Sequence, residues 1–226
     1  MSNKIMSETF NEVSRKYDQQ RRLFIPCYED YYGASVSFLS FIRPNVNNIL
    51  DLGAGTGLLT EYLFDKYPNA FFTLIDIAEQ MLEVAKQKFL YKANFKFLVG
   101  DYTENLPGES YELISSALSI HHLSEEKKFK LYKNSFETLI DGGVLLNLDQ
   151  FNSSSKEMNE YFTKYWYSFI DKSGISEQEK EVWLKRRELD KENSINETKN
   201  MLYNVGFKIV ECIYSYQKFG VIIAIK

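Results

Sequence analysis

A glycine-rich segment that follows an acidic residue carries the clearest chemical signal in this chain. The apolar residues around Asp51 indicate a buried parallel strand, and Gly53, Gly55 and Gly57 then alternate with other residues before apolar residues recur at helical spacing. Glycines let a backbone pass close to a ligand, and the start of a helix presents free N–H groups. A carboxylate at Asp51 would repel a pyrophosphate, but it suits a ligand that carries an ammonium or sulfonium group.

Two further strand-like segments also end in an acidic residue. Asp76 follows an apolar run and can accept hydrogen bonds from both hydroxyls of a ribose, and Asp101 follows a third such run. Open α/β sheets bind ligands at the carboxyl ends of their strands, so these two acids and Asp51 are expected to meet in one crevice. Ile77 and Met81 are placed to pack against an adenine ring.

The order of these motifs resembles that of the class I S-adenosylmethionine (SAM)-dependent methyltransferases. The resemblance covers residues 45–150 with specific motifs and the last two strands more loosely. It implies SAM as the cofactor, with Asp76 at the ribose, Asp101 at the adenine amino group, and the glycine loop with Asp51 at the amino-acid end. The predicted cofactor-binding residues are Tyr17, Asp51, Gly53, Ala54, Gly55, Asp76, Ile77, Met81, Asp101, Tyr102 and Ala117.

Two adjacent histidines follow the predicted fourth strand. His121 and His122 are the only histidines in the chain, and either could take a proton from an acceptor oxygen or nitrogen. Asp149, at the end of the fifth strand, could orient an imidazole. These three residues are the predicted catalytic set. A histidine that only caps the next helix, and methyl transfer by positioning alone, are the alternatives. No metal site is predicted, because Cys27 and Cys212 lie far apart without a ligand motif.

Strand and helix patterns alternate along the chain. They predict an α/β fold with the seven-stranded, doubly wound sheet of the methyltransferases, mostly parallel with an antiparallel C-terminal strand. Gly142 is expected to end the helix before the fifth strand in a left-handed conformation. The predicted helices of the core cover 58–67, 78–90 and 125–140, and the last four strands cover 111–116, 144–149, 207–214 and 219–225.

Two helical segments lie outside the predicted core. We expect one domain over residues 1–226, with an N-terminal helical cap at 1–43 and a helical insertion at 152–205 before strand six. In the cap, Tyr17 belongs to a Tyr-Asp pair that resembles one closing over the amino-acid end of SAM. One helical face of the cap carries Phe10, Val13 and Tyr17, and the insertion carries a stripe more typical of core packing than of a substrate pocket: Met158, Phe162, Tyr165 and Phe169.

The composition of the chain indicates which partners and which cellular compartment to expect. The chain has a net charge of −4, with 44% hydrophobic and 26% charged residues, which is ordinary for a globular protein. The acidic balance disfavours a nucleic-acid partner, although tRNA stays an alternative. The sequence shows neither a signal-peptide pattern nor an apolar run of membrane-spanning length, so we expect a cytoplasmic protein without membrane contact. A homodimer is compatible with the sequence.

The flanking segments resemble a second group, the carboxy-SAM synthases of wobble-uridine modification. In that family an arginine of the insertion holds the carboxylate of the modified cofactor, and Arg186 is the nearest match. Those synthases lack the full glycine loop and the His121–His122 pair. We therefore predict methyl transfer from SAM to an oxygen or nitrogen of a small molecule. A carboxy-SAM synthase-like or tRNA wobble-uridine-modifying enzyme is the alternative, and a SAM-binding protein without catalysis is the third.

Overall fold

The computed structural model describes residues 7–11, 14, 17–108 and 110–226 of the chain. Its centre is one seven-stranded sheet. The strands are β1 (Asn48–Leu52), β2 (Phe71–Asp76), β3 (Phe95–Val99), β4 (Tyr111–Ala117), β5 (Leu139–Gln150), β6 (Ile209–Tyr216) and β7 (Phe219–Ile225). Their spatial order is β3-β2-β1-β4-β5-β7-β6. Strands β1 to β5 pair in parallel, and β7 runs antiparallel to both of its neighbours, β5 and β6. The predicted fold class is confirmed.

Helices cover the sheet on two faces. Successive side chains of a strand point to opposite faces, so Ile49 and Leu50 of β1 enter two separate apolar clusters. The helices are α1 (Tyr17–Phe24), α2 (Ser35–Ile42), α3 (Leu58–Lys66), α4 (Glu79–Lys88), α5 (Glu125–Thr138), α6 (Lys156–Lys172), α7 (Glu177–Arg187) and α8 (Ile195–Val205), with a π-helical turn at Asp30–Ala34 and a 3₁₀ turn at Ile120–His122. Within the described residues, none of the helices combines the length and apolar character needed to span a bilayer.

The junction between α5 and β5 differs from the prediction. Helix α5 ends at Thr138 rather than near residue 140, and β5 begins at once with Leu139. Gly142 does adopt a left-handed backbone with φ of +73°. It lies inside β5, where its N–H donates to the carbonyl of Lys226 and the register with β4 shifts. The glycine therefore accommodates an irregularity of the strand and does not cap the helix.

The cap and the insertion pack against each other. The indole Nε1 of Trp166 in α6 donates to the carbonyl of Phe24 in α1 over 2.6 Å. The ring of Trp183 in α7 stacks on Phe24 with centroids 5.4 Å apart. The prediction that the α6 stripe forms a core face is wrong. Met158 and Tyr165 of the stripe are exposed, whereas Trp166 and Ile170 are buried. Val13 of the predicted cap face lies outside the described residues.

Gly57, at the start of α3, gives a test of the turn that leads out of β1. Its φ is +76°, and an added Cβ would lie 2.8 Å from Cε2 of Phe89. Gly57→Ala should therefore lower the free energy of unfolding by about 2–4 kcal/mol, through left-handed strain and overpacking. Urea unfolding monitored by circular dichroism measures this change.

Gly33 provides the matched control. It lies in the π-helical turn, and an added Cβ would meet only Cε1 of Tyr62 at 4.0 Å. Gly33→Ala should raise the free energy of unfolding by about 0.5–1 kcal/mol, because alanine loses less backbone freedom on folding. Equal effects of the two substitutions would show that the turn at Gly57 imposes no special constraint.

Candidate functional site

The turn from β1 to α3 brings the backbone against the end of β4. Gly53, Gly55 and Gly57 all have positive φ, at +62°, +56° and +76°. At Gly53 an added Cβ would lie 1.9 Å from Oγ of Ser119 and 3.2 Å from Cε1 of Tyr102. Only glycine fits this approach, which explains why the sequence places glycine there.

Asp51 lies under this loop as a buried acid. Its two carboxylate oxygens accept hydrogen bonds from Oγ1 of Thr60 at 2.5 Å and from Oγ of Ser115 at 2.9 Å. Burial raises the pKa of Asp51 to about 6, although both hydroxyl donors favour its charged form. The carboxylate is thus ionised at neutral pH and can face a cationic group of a ligand.

Asp76, at the end of β2, joins the strand end to the glycine loop. Its carboxylate accepts from the backbone N–H of Gly55 at 2.8 Å and of Ala78 at 2.7 Å. Burial also raises the pKa of Asp76 to about 6. Since each carboxylate oxygen can accept two hydrogen bonds, Asp76 can also accept from ligand hydroxyls.

These groups surround a cavity of about 820 Å³, counted with the space open to solvent. All eleven predicted cofactor-binding residues line it: Tyr17, Asp51, Gly53, Ala54, Gly55, Asp76, Ile77, Met81, Asp101, Tyr102 and Ala117. The structure therefore brings the whole predicted set together. Sequence analysis missed other lining residues, among them Phe10, Tyr32, Thr56, Leu118 and Ser119. Ser119 adjoins the histidine pair, and its Oγ lies 2.5 Å from the hydroxyl of Tyr102.

The N-terminal segment closes one side of this cavity. Oγ1 of Thr56, in the glycine loop, hydrogen-bonds to the carboxylate of Asp18, the partner of Tyr17 in the Tyr-Asp pair. Oγ of Ser7 donates to the carbonyl of Ile77 over 3.1 Å. The segment thus lies directly on the glycine loop, where a closing role for Tyr17 requires it. That role stays a prediction.

The histidine pair lies on the 3₁₀ turn after β4, between two acids. Nδ1 of His121 is 2.5 Å from Oδ1 of Asp149, which forms the predicted His–Asp pair, and its Nε2 is 3.4 Å from Oδ1 of Asp190. Burial opposes an imidazolium, but the two carboxylates outweigh burial and raise the pKa of His121 to about 10. His121 is therefore protonated at neutral pH. Asp190 belongs to the insertion and was not predicted, because nothing in its local sequence points to the histidines.

His122 has the opposite protonation state. Burial and the neighbouring charge of His121 lower its pKa to about 4, so its imidazole is neutral at pH 7. Its Nδ1 is 3.0 Å from Oδ1 of Asp190. His122 lines the 820 Å³ cavity, whereas His121 and Asp149 do not. Of the predicted catalytic residues, His122 is thus the one that can reach a ligand in this cavity.

A metal ion is the other ligand that this cluster could suit. In the described part of the chain, His121, His122 and Asp190 offer ligand atoms within 4.8 Å of one another. Two positive charges oppose a cation there. The carboxylates beside His121 raise the pKa of its imidazole to about 10, and Nη1 of Arg187 lies 3.1 Å from Oδ2 of Asp190. That the protein has no metal site therefore stays a prediction.

Comparisons with known proteins bear on this geometry. Residues 49–143 match the family model of a methyltransferase domain. A carboxy-S-adenosyl-L-methionine synthase of Nautilia profundicola is 26% identical over 220 residues, which cover 95% of this chain and 92% of the relative. Residues 49–143 are therefore a methyltransferase domain, and the chain is similar to the class I SAM-dependent methyltransferases.

Methyltransferases of known type match shorter parts of the chain or its fold alone. Malonyl-[acyl-carrier protein] O-methyltransferase 2 of Ilyobacter polytropus is 34% identical over 101 residues, or 45% of this chain and 38% of that protein. The structure of human N-acetylserotonin methyltransferase in complex with SAM superposes with a TM-score of 0.60 at 21% identity, over 86% of this chain and 51% of that one. The chain therefore spans about half the length of that structural neighbour.

The 820 Å³ cavity fits SAM in charge and shape. Asp51 and Asp76 supply two buried carboxylates for a ligand with a cationic and a ribose end, and Gly53 and Gly55 form a cradle that side chains would fill. At Gly55, an added Cβ would come within 3.3 Å of Cε of Met81. These residues are the ones that would hold the cofactor.

Cofactor affinity should fall at acid pH. The carboxylate of Asp76 accepts hydrogen bonds only while ionised, so the dissociation constant for S-adenosylhomocysteine should rise as the pH falls through about 6. Asp76→Asn should weaken binding by roughly 1.5–3 kcal/mol for each charged hydrogen bond lost, and should leave only the part of the pH dependence that comes from Asp51, whose pKa is also about 6. Calorimetry between pH 7.5 and 5, at roughly half-unit intervals, measures both effects.

An exposed acid of α5 provides the control for this titration. Glu137→Gln removes one negative charge far from the cavity and should leave both the affinity and its pH dependence unchanged. An affinity that is the same at pH 5 and 7.5 in the unmodified chain would exclude Asp76 as an ionised acceptor.

Proposed function

We propose that this enzyme transfers the methyl group of SAM to an oxygen or nitrogen of a small molecule. The observation that supports it best is the position of His122, a neutral imidazole on the wall of the predicted cofactor cavity. Bound SAM would supply a methyl group on a sulfonium: the acceptor atom would bond to the methyl carbon as the carbon–sulfur bond breaks, the electron pair would stay on sulfur, and the acceptor would lose a proton. His122 is suited to take up that proton.

The acids behind the histidines suit this role. An imidazolium formed at His122 would lie 3.0 Å from the carboxylate of Asp190. Burial disfavours the ionised form of Asp190, but the neighbouring positive charge of His121 stabilises it. His121 stays protonated between Asp149 and Asp190 and orients both acids. We infer that His121 and Asp149 position the site, while His122 faces the acceptor.

The proposal extends to the organisation of the chain. We infer one catalytic domain over residues 1–226, in which the cap at 1–43 supplies Tyr17 and the insertion at 152–205 supplies Asp190. The cytoplasmic location and the homodimer stay predictions, and tRNA stays the disfavoured partner.

Carboxy-SAM synthesis is the second candidate, and two observations favour it. The N. profundicola synthase matches nearly the full chain, and Arg186, the counterpart of the arginine that holds the cofactor carboxylate in that family, is buried rather than part of a surface ion pair. Against it, Arg186 does not line the 820 Å³ cavity predicted to hold the cofactor.

Mass spectrometry of the cofactor separates the two candidates. The enzyme incubated with SAM and prephenate should return SAM without a carboxylated product, because no guanidinium among the described residues lines the predicted cofactor cavity. A cofactor that gains the mass of one carboxyl group, and does so only when Arg186 is present, would replace methyl transfer by carboxy-SAM synthesis.

Substitution of His122 tests whether this histidine takes up the proton or whether positioning of the acceptor alone accounts for catalysis. With any acceptor that the enzyme methylates, His122→Gln should lower kcat by about 100-fold or more and leave the affinity for S-adenosylhomocysteine within about twofold. Because the pKa of His122 is about 4, kcat of the unmodified enzyme at saturating SAM should stay flat from pH 6 to 9 with acceptors that do not titrate there.

The control for this test is an exposed lysine of α5. Lys133→Gln alters only the surface of the enzyme and should leave kcat unchanged. An unchanged kcat in His122→Gln would instead assign catalysis to positioning of the acceptor.

A further inference from the structure

A second cavity adjoins the predicted cofactor cavity. It encloses about 320 Å³, counted with the space open to solvent, and shares four lining residues with the first cavity: Phe10, Tyr17, Leu118 and His122. Its remaining lining residues come from α1, the end of β5, α7 and the histidine turn: Arg21, His121, Gln150, Trp183, Arg186, Arg187 and Asp190. His122 therefore lies where the two cavities meet.

Two of its arginines are buried without an anion. Arg21 and Arg186 are 8% and 6% exposed, and neither forms an ion pair with any acid in the described parts of the chain. Nε of both, and Nη1 of Arg186, lack a hydrogen-bond partner. Their neighbours are ring faces instead, since Cζ of Arg21 lies 3.8 Å from the centroid of Tyr17 and Cζ of Arg186 lies 5.8 Å from that of Phe10.

The third arginine of this cavity, Arg187, differs because its guanidinium has polar partners. Nη1 of Arg187 contacts Oε1 of Gln150 at 2.8 Å, Oδ2 of Asp190 at 3.1 Å and Oε1 of Glu192 at 3.3 Å. Asp190 is the acid among the described lining residues of this cavity, and its oxygens already lie within 3.4 Å of nitrogen atoms of both histidines and of Arg187. Within the ranges that the structure describes, no acid is thus left as a counter-ion for Arg21 and Arg186.

Two such charges call for a ligand of opposite sign. Burial and the neighbouring Arg21 lower the pKa of Arg186 to about 10, so its guanidinium is still charged at neutral pH. A buried charge without a partner costs several kcal/mol, and a planar guanidinium pairs best with a planar carboxylate through two parallel hydrogen bonds. A carboxylate in this cavity would satisfy the N–H groups that the protein leaves unpaired.

We propose that the second cavity binds the methyl acceptor, and that the acceptor is a small molecule with a carboxylate held by Arg21 and Arg186. This inference rests on the proposed function. Neither arginine lines the predicted cofactor cavity, whereas His122 lines both cavities. The carboxylate is therefore anchored away from the methyl donor while the nucleophilic atom of the same molecule faces His122.

Binding of matched probes to the enzyme loaded with S-adenosylhomocysteine tests the proposal. Acetate and benzoate should each bind at least tenfold more tightly than the neutral acetamide and benzamide, a difference of about 1.4 kcal/mol. Arg21→Met and Arg186→Met should each remove about that preference and leave the affinity for S-adenosylhomocysteine within about twofold. Arg21→Lys and Arg186→Lys, which keep the charge but lose the paired hydrogen bonds, should retain part of it.

Arg22→Met is the matched control, because Arg22 adjoins Arg21 but is exposed and paired with Glu29. It should leave the binding of every probe unchanged. The proposal is overturned if each carboxylate binds no better than its amide, or if the preference survives both methionine variants. It is equally overturned if inorganic phosphate binds in an arginine-dependent way and the carboxylates do not.

Failure of the proposed function has a different signature. If the unmodified enzyme binds neither SAM nor S-adenosylhomocysteine, the proposal of methyl transfer is wrong, whether or not the probes bind. If it converts SAM and prephenate to a carboxylated cofactor, and Arg186→Met abolishes that product while benzoate binding is unchanged, the guanidinium serves the cofactor and the acceptor site is excluded.

Discussion

Charges buried at the carboxyl edge of the sheet must each meet an opposite charge or a set of hydrogen-bond donors, and this requirement organises the site. Asp51 meets two hydroxyls from α3 and β4, and Asp76 meets two backbone N–H groups. His121 lies between Asp149 and Asp190. Each arrangement joins segments that are distant in the chain, so the charges fix how the loops, helices and strands fit together.

The same requirement ties the insertion to the sheet. Nζ of Lys218, at the start of β7, is almost fully buried, and it contacts Oδ1 of Asn152 at 2.8 Å and the carboxylate of Glu192. Burial lowers the pKa of Lys218, and Glu192 counters that effect. Removing either partner would leave a buried charge alone, at a cost of about 3–5 kcal/mol. The insertion is thus anchored through Glu192, two residues after Asp190, to the turn that leads into β7.

Local patterns were enough to predict the sheet, and together with the family resemblance they predicted residues that line the cavity. Asp51, Asp76 and Asp101 each end an apolar run, and this signal needs no information from distant residues. Asp190 and Arg21 could not be found in this way, because their roles depend on packing of the insertion and the cap over the edge of the sheet. The α6 stripe failed for a related reason. Trp166 and Ile170 are buried because α1 and α7 cover that side, and periodicity alone cannot say which side is covered.

The shared wall between the two cavities has a thermodynamic consequence. Phe10 and Tyr17 line both cavities, and the segment that carries them is fastened to the core through Asp18, which contacts Thr56 and lies 2.9 Å from Nζ of Lys88. If a ligand in one cavity orders this wall, the wall has less conformational entropy left to lose when a ligand fills the other cavity. The two affinities are then coupled by one free energy, equal in both directions, and a single chain acquires cooperativity between unlike ligands without a second subunit.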